Sequence, residues 1–581
     1  MDANLARRAA MAGLGAAGGL SLYGLGEILD RQLLSDRPIL ALASFVGVFF
    51  FALLAMAGPL RIGRAALSAL GVALLTAALL TFASLRFDHA GDLLESPLPL
   101  LAALVLAAMP LPFVIAALGP FGWRDYPTLF SESWTIAVRY AAAGMFVIVV
   151  WGLIFLSDAL LSIVGLRIID HLLDQEAVPY LLTGAALGLG MAVVTELSDL
   201  VSPYLVLRLM RLLLPLVLVV MAVFVLALPV QGMSGLFGGL SVAATLLAMA
   251  GMAAMLVTVA VDQEDSEAIE PGWMTYATRA LACFVAVFAG LAGWAVWLRV
   301  SQYGWTPPRV FGALASALSL AYGLAYLRAV LAGPNWMARL REGNVIMALV
   351  VIVSAISWLS VLDPYRLSAR DQLARFEAGK TSLGTLDLAE MERWGRAGAA
   401  ALARLEARAT EPGQEALARH LANRSASVAV EGDAAALREQ LAGLLPVRPV
   451  TATETRDAIL ATVWPSLLPT LVESCLYLLE DGLPGCALVV ADFWEDTSGP
   501  EAILLYRTGP GGLSALGFVA QDGTLRTQSV AELGSEGGAF AGAEFGGAED
   551  LLRAAQSDAP RLAPLPRYGL ELGDRVLQIL P

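Results

Sequence analysis

The sequence predicts a polytopic α-helical membrane protein of about eleven spans with a C-terminal soluble α+β domain. Three observations carry that reading. Apolar runs of roughly 20 residues recur through residues 1–362, each long enough to cross a hydrocarbon core of about 30 Å as a helix. Only 15% of the 581 residues are charged and the mean hydropathy is +0.70, where a soluble globular chain carries about 25% charge. After Asp363-Pro364 the long apolar runs stop and short strand-like segments between Gly, Asp and Pro turns follow. Barrel strands would show as alternating segments of about 10 residues, a pattern not found here.

The spans fall near 9–28, 38–60, 65–85, 97–118, 134–157, 178–198, 205–230, 237–261, 278–298, 310–332 and 344–362. The first is rich in Gly and Ala. Arg7 and Arg8 precede it, and no clear small-residue cleavage site follows, which suits an uncleaved span with its N-terminus inside. Pro110 and Pro112 remove backbone donors from the fourth span and predict a kink or break there. The seventh starts amphipathically with Arg208 and Arg211. Arg61, Arg64, Arg124, Arg208, Arg211, Arg339 and Arg341 join Arg7 and Arg8 on the inner side, against a smaller outer set, so the arginine bias agrees with this orientation. An odd number of spans then puts everything after Asp363 outside, in a bacterial periplasm. A Cys475–Cys486 disulfide would need such an oxidising compartment; two unrelated buried thiols is the other reading. Cys283 lies within a span as a small helix- or lipid-facing residue.

Ionised groups at the bilayer centre cost about 2.5–3.5 kcal/mol on insertion scales, so they turn toward protein or water. Arg139 lies five residues into its span, and Glu196 and Asp199 close another. Together they are the candidate intramembrane polar site, a charged cavity near the inner surface; interfacial snorkelling is the alternative, and it is the preferred reading for Arg279 and Arg328. Gly184-x-x-x-Gly188 reads as close helix packing. Gly235, Gly238 and Gly239 would allow an unwound segment. Leu166–Glu176 is amphipathic, too short to span, and expected to lie flat on the outer surface, with His171 solvated beside Asp170 and Asp174. The acidic loop from Asp262 to Glu270 reads as a solvated inner connector without the alternation of a calcium loop.

Between the ninth and tenth spans lies Tyr303-Gly304-Trp305-Thr306-Pro307-Pro308-Arg309. Tyr303 and Trp305 suit the interfacial aromatic belt. Thr306 can act as N-cap and the prolines fit a first helical turn. Arg309 is the residue that needs a partner, because a cation in a first turn opposes the helix dipole. Asp363, at the outer end of the last span, is its candidate, and that pair would couple the two halves of the chain.

Tyr303-Gly304-Trp305-Thr306-x-x-Arg309 resembles the Tyr-Gly-x-Thr-x-x-Arg signature of a bacterial multi-span family, domain of unknown function 4153. Leu362-Asp363-Pro364-Tyr365 and Leu367–Arg375 resemble its post-membrane segment. The resemblance covers the membrane half and the first soluble helix. It implies an inner-membrane protein and brings no reaction, substrate or catalytic residue with it.

In the soluble half, residues 363–465 read as a helical linker or subdomain and 466–581 as a small antiparallel α+β domain. Leu386–Arg408 has helical spacing of Leu388, Met391, Trp394, Leu402 and Leu405, with Gly398 weakening an unbroken helix. Glu415–Leu421 and Ala434–Leu444 read as further helices. Strands are expected at Cys486–Asp492, Ala502–Tyr506, Ser514–Val519, Leu525–Val530 and Val576–Leu580, and a helix near Ala548–Ala555. The carboxylate-rich turn Asp492–Glu501 lacks the ligand alternation of a calcium site.

The formal charge of −14 excludes nucleic acid as a partner, since phosphate binding needs clustered Lys and Arg. The three histidines, His89, His171 and His420, are scattered, and no phosphate loop, dinucleotide fingerprint or zinc spacing occurs. No catalytic residue, metal or cofactor is therefore assigned. The lipid bilayer is the expected surround, with a periplasmic protein as a further partner. The first functional reading is a transport- or permease-like inner-membrane protein with a periplasmic C-terminal domain. The alternative is an envelope scaffold or sensor whose soluble domain binds that partner. A membrane-embedded enzyme comes third.

Overall fold

The structure, a computed structural model, describes residues 3–196, 203–237, 241–269, 272–383, 386–418, 421, 434–479, 481–493, 501–509, 512–521, 524–533, 548–557, 561–563, 569–572 and 575–579. The chain forms two compact units, Met1–Ser368 and Ala369–Pro581.

Among the described residues of the first unit, eleven segments are long and apolar enough to cross a membrane, in the expected order. They begin with α1 (Ala3–Asp30), α2 (Asp36–Met56) and α3 (Ile62–Ser84). The fourth is broken, as its prolines predict: α4 (Pro97–Ala108) and α5 (Pro110–Leu118) meet at Met109. Next come α6 (Tyr126–Ile163), a six-residue α7 (Ile168–Leu173), α8 (Ala177–Glu196) and α9 (Pro203–Phe237). The series closes with α10 (Val242–Val261), α11 (Trp273–Tyr303), α12 (Pro307–Leu331) and α13 (Trp336–Leu359). At 38 residues α6 is about 57 Å long, more than the 40–45 Å of a whole bilayer, so its ends extend past the hydrocarbon. Helix α13 starts at Trp336, well before the expected residue 344. The expected span leaves Arg341 outside and begins at Asn344, yet both are buried within the helix.

Two cores organise the unit. One gathers Met11, Ala52–Ala57, Ala65, Leu111, Ile136 and Met191 from α1, α2, α3, α5, α6 and α8. The other gathers Leu214, Leu246, Leu256, Leu281, Phe288, Tyr326 and Leu340 from α9–α13. Phe130 of α6 packs with Leu207 and Val259 of the second group.

The closest helix pairing is that of α1 with α8. A Cβ on Gly184 would lie 2.2 Å from the Gly15 carbonyl oxygen, and one on Gly188 would lie 2.0 Å from that of Met11. Backbone touches backbone along this seam, as the small-residue spacing predicts. Gly184→Leu should therefore separate the pair. The expected loss is about 1–3 kcal/mol or more, as for an overpacked core, read as a fall in thermal unfolding temperature in detergent. The same change at Gly251, whose Cβ would meet nothing within 4 Å, should leave that temperature nearly unmoved.

In the second part of the chain, α14 (Pro364–Glu377) is followed by α15 (Leu388–Glu392) and α16 (Gly395–Ala409). The single helix expected over Leu386–Arg408 is thus two. Gly395, at φ 57°, turns the chain between them, and the Asp387 carboxylate caps α15 through the Glu390 N–H at 2.8 Å. The expected helix Glu415–Leu421 is helical over 415–418, and Arg419 and His420 lie outside the described residues. Then come α17 (Ala434–Leu444), β1 (Val447–Arg448), α18 (Thr453–Thr462) and α19 (Leu468–Leu476). Strands β2 (Cys486–Ala491), β3 (Glu501–Gly509), β4 (Gly512–Gln521) and β5 (Thr524–Leu533) precede α20 (Ala548–Ala555). Strands β6 (Arg561–Ala563), β7 (Gly569–Leu572) and β8 (Arg575–Ile579) follow.

The sheet order is β1-β2-β3-β4-β5-β8-β7-β6, antiparallel except for the β1–β2 pair. Alternate residues of β2 and β3 face opposite sides, as a pleated strand requires. Cys486, Leu488, Ala502 and Leu504 pack under α17–α19, while Ala487, Val489, Ile503 and Leu505 pack with α20. Burial on both faces explains why β2 reads as a continuous apolar run.

Cys475 of α19 and Cys486 of β2 are joined by a disulfide, with Cα atoms 4.8 Å apart. Both are buried, so the bond staples that helix layer to the sheet. A Cys475→Ala/Cys486→Ala variant should lower the stability of this unit by about 2–4 kcal/mol, measured by denaturant unfolding. The wild type should fall by a comparable amount once fully reduced.

Candidate functional site

Within the α9–α13 group, the polar side chains converge on Asn344. A buried primary amide has two acceptor lone pairs and two N–H donors to satisfy. Its Oδ1 accepts from the hydroxyls of Tyr322 (2.9 Å) and Tyr326 (2.8 Å), which sit one turn apart on α12. Its Nδ2 donates to Tyr126 Oη of α6 at 3.1 Å and lies 3.5 Å from Thr258 Oγ1 of α10. Thr258 Oγ1 also lies 2.8 Å from Tyr326 Oη and 2.9 Å from the Ala254 carbonyl. Thr258 has one proton for two acceptors, so its hydroxyl can switch between the helix and the knot. Four helices are thus joined, at the first residue of α6 and one turn before the end of α10, by groups that carry no formal charge.

Directly beyond Thr258, α10 ends inside protein. A helix leaves its last four carbonyls without intrahelical donors. Here each has one. The Asp262 N–H serves Thr258 (3.1 Å), Arg211 Nε serves Val259 (3.0 Å), the Ile269 N–H serves Ala260 (3.1 Å) and Arg341 Nη2 serves Val261 (2.7 Å). Arg211 of α9 also donates to the Glu267 carbonyl (2.8 Å) and pairs with the Asp262 carboxylate. Arg341 of α13 donates to the Asp262 carbonyl (3.0 Å) and to Asp265 Oδ1 (2.7 Å). Two cations at a helix C-terminus also suit its dipole.

Asp262 is only 1% exposed and holds φ 53°, ψ −170°, a backbone region that is essentially reserved for glycine and costs about 1–3 kcal/mol. The acidic loop is solvated at 264–266, as its composition suggests, but it is anchored at its start. Its first residue is buried, strained and gripped from two helices, while Asp265 stays exposed.

The residues picked out by sequence fall elsewhere. Glu196 pairs with Arg8 at the start of α1, not with Arg139. That contact closes the α1–α8 seam and leaves Glu196 Oε1 buried without a hydrogen bond. Arg139 packs on Gly58, where an added Cβ would lie 2.3 Å from Nη1. It stands within electrostatic reach of Glu132 and Arg7, and Arg7 donates to the Gly58 carbonyl at 3.1 Å. Asp199, Gly238 and Gly239 lie outside the described residues, as do residues 494–500 of the acidic turn and Glu270 of the acidic loop. Arg279 stacks on Trp336 at 5.1 Å. Among the described residues no three His, Cys, Asp or Glu side chains gather as a metal set.

In the Tyr303–Arg309 loop, Gly304 takes φ 76° to turn out of α11, and Pro307 and Pro308 open α12. Thr306 holds the N-cap position, but its side chain makes no capping bond. Arg309 folds back onto the carbonyls of Gly304 (2.8 Å) and Tyr303 (3.3 Å) and over the Tyr303 ring (5.7 Å). Asp363 caps the next helix, accepting the Arg366 N–H at 3.0 Å. The cation set against the end of the last span is Arg86, in the loop after α3. It donates to the carbonyls of Trp358 and Ser360, both at 3.1 Å. Burial pulls its guanidinium pKa down and Asp363 pushes it back up. Next to it Phe87 meets Tyr365 edge to face at 5.0 Å.

The strain at Asp262 gives a discriminating pair of variants. Asp262→Ala and Asp262→Gly both remove the carboxylate from Arg211, but only alanine retains the backbone penalty. Asp262→Gly should be more stable than Asp262→Ala by about 1–3 kcal/mol in thermal unfolding of the detergent-solubilised protein.

Residues 33–405 match the model of a family described as a domain of unknown function (DUF4153). The match takes in ten of the eleven spans, the Asn344 knot, the Arg211–Asp262–Arg341 clamp and both segments whose residues resemble the family. No curated protein and no solved structure matches the chain. The match covers well over half of the sequence, and the chain belongs to the DUF4153 family as a multi-pass membrane protein with a soluble α+β part.

Proposed function

We propose that this protein is a transport-type membrane protein whose polar site is the Asn344 knot and whose gate is the clamped loop from Asp262 to Ile269. One observation carries the reading: a buried, hydrogen-bonded polar centre between the helices lies directly beneath a strained, ion-paired loop. Polar groups are costly inside a bilayer, so they mark substrate or ion paths by default. The knot supplies hydroxyl and amide groups, chemistry suited to a neutral polar solute or to proton transfer between hydroxyls. Strain stored at Asp262 and two arginines from separate helices make the loop an element with two discrete states.

With eleven crossings and the N-terminus inside, the loop after α10 faces the cytoplasm of a bacterial inner membrane and residues after Asp363 face the periplasm. The buried Cys475–Cys486 disulfide supports that side. A second reading is favoured by the same disulfide-stapled domain: an envelope scaffold or sensor that binds a periplasmic protein through it.

The gate is testable without knowing the solute. In a Cys283→Ala background, Thr258→Cys places a thiol in the knot; the two remaining cysteines are bonded to each other. A membrane-impermeant thiol reagent applied from the N-terminal side should label it slowly. Adding Asp262→Asn should speed labelling by roughly tenfold, the factor produced by about 1.4 kcal/mol in the open–closed balance. If the thiol stays unreactive in both backgrounds until the protein is denatured, the knot is a sealed structural joint and the transport reading fails.

A further inference from the structure

A cleft of about 430 Å³ lies between α1, α2 and α8. That volume is in the range of ligand pockets. Gly15, Gly18 and Gly19 form its floor, and Phe50, Leu54 and Leu187 its walls. Two polar groups on its border are already spent. The Tyr140 hydroxyl donates to the Phe51 carbonyl at 2.6 Å, and Trp151 Nε1 donates to Thr183 Oγ1 at 3.1 Å. The cleft therefore presents hydrocarbon to whatever enters it.

Its two ends differ in charge. One turn beyond Leu54 on α2 is Gly58, which carries Arg139 against its Cα and Arg7 on its carbonyl. Arg61, at the start of α3, follows. Arg8 is neutralised by Glu196, while Arg139 has Glu132 and Arg7 within electrostatic reach. At the opposite end Tyr180 packs on Tyr23, which donates to Glu27 at 3.2 Å, with Glu176 also within electrostatic reach. Arg31 is taken up by Glu27 there. One end of an apolar slot is thus basic and the other acidic.

We propose that this cleft binds an anionic phospholipid, one acyl chain lying over Gly15–Gly19 and the phosphate at Arg7 and Arg139. The dry walls select a hydrocarbon chain. The basic end draws an anionic headgroup while the acidic end repels it, so the charge pattern sets the direction of binding. The inference does not depend on the transport reading, because the cleft belongs to the α1–α8 core and the knot to the other.

Native mass spectrometry of the full chain from detergent, with phosphatidylglycerol and phosphatidylcholine of identical acyl composition, tests it. The wild type should retain one phosphatidylglycerol at roughly fivefold or greater preference. Gly47 lines the cleft and has nothing within 4 Å of a Cβ, so Gly47→Phe should fill the slot and lose both lipids at an unchanged unfolding temperature in lipid-free detergent. An Arg7→Gln/Arg139→Gln variant should keep a lipid but bind the two kinds equally. Phosphatidylglycerol with a photoactivatable acyl chain adds a test on the unaltered protein, with cross-links expected at Phe50, Leu54 or Leu187. Equal retention of the two lipids by the wild type overturns the headgroup assignment. Undiminished binding by Gly47→Phe, or cross-links confined to other helices, overturns the site.

Discussion

A helix that ends away from water must still find donors for its last four carbonyls, and the end of α10 imposes this need on everything around it. Each unsatisfied group would cost several kcal/mol in such a medium. Arg211 comes from α9, Arg341 from α13, and the other two donors from the loop itself. Helices α9 and α13 are therefore fixed in register by where α10 stops. The positive charges they bring require the Asp262 carboxylate, and its position accounts for a non-glycine residue being held in strained backbone. Capping, ion pairing and strain at this point are one arrangement.

The Asn344 knot follows from the same geometry. Arg341 and Asn344 are three residues apart on α13 and share a face, so seating the arginine on α10 delivers the amide to Thr258, one turn back along that helix. Tyr322 and Tyr326 complete it from α12, and Tyr126 from the first turn of α6. The α1–α8 seam obeys a different rule. There contact comes from having almost no side chain in the way, and its polar closure, Arg8 with Glu196, sits at the end of the pair. One half of the membrane unit is held by directional bonds and the other by close backbone packing. A change of state through rearranged hydrogen bonds belongs to the first.

The spans were legible because hydropathy over 20 residues is a strong signal, and the proline break and the β-strands followed from local rules that burial did not override. The polar site was less legible for a physical reason. An arginine in the first turns of a helix looks the same in sequence whether it snorkels into headgroups or turns inward to cap a neighbour. Arg211 and Arg341 read as inner-side charges, Arg211 also as part of an amphipathic span start, and Tyr322-x-x-x-Tyr326 and Asn344 fall inside runs that read as apolar. Arg139 and Glu196 stand out in sequence, and both are engaged, but with partners distant in the chain that spacing cannot indicate: Gly58 for one and Arg8 for the other.

The Arg309–Asp363 idea shows how a sound physical demand can be met by another residue. Arg309 in a first turn needs relief from the helix dipole, and it finds this in the carbonyls of Tyr303 and Gly304, which the turn at Gly304 places within reach. The last span also needs a cation, because its C-terminal carbonyls at Trp358 and Ser360 sit where chain and environment change together. Arg86 meets that need from the loop after α3 with two hydrogen bonds, and Asp363 compensates its charge while capping α14. Phe87 and Tyr365 then seal the joint with an aromatic contact. The Asp-Pro-Tyr-Arg segment after the last span is accounted for residue by residue: Asp363 caps, Pro364 begins the helix, Tyr365 stacks and Arg366 supplies the capped N–H. The exit of the chain from its membrane bundle is thus held by the loop after the third span, so any motion of α13 that carries Arg341 off α10 must also load the contacts of Arg86.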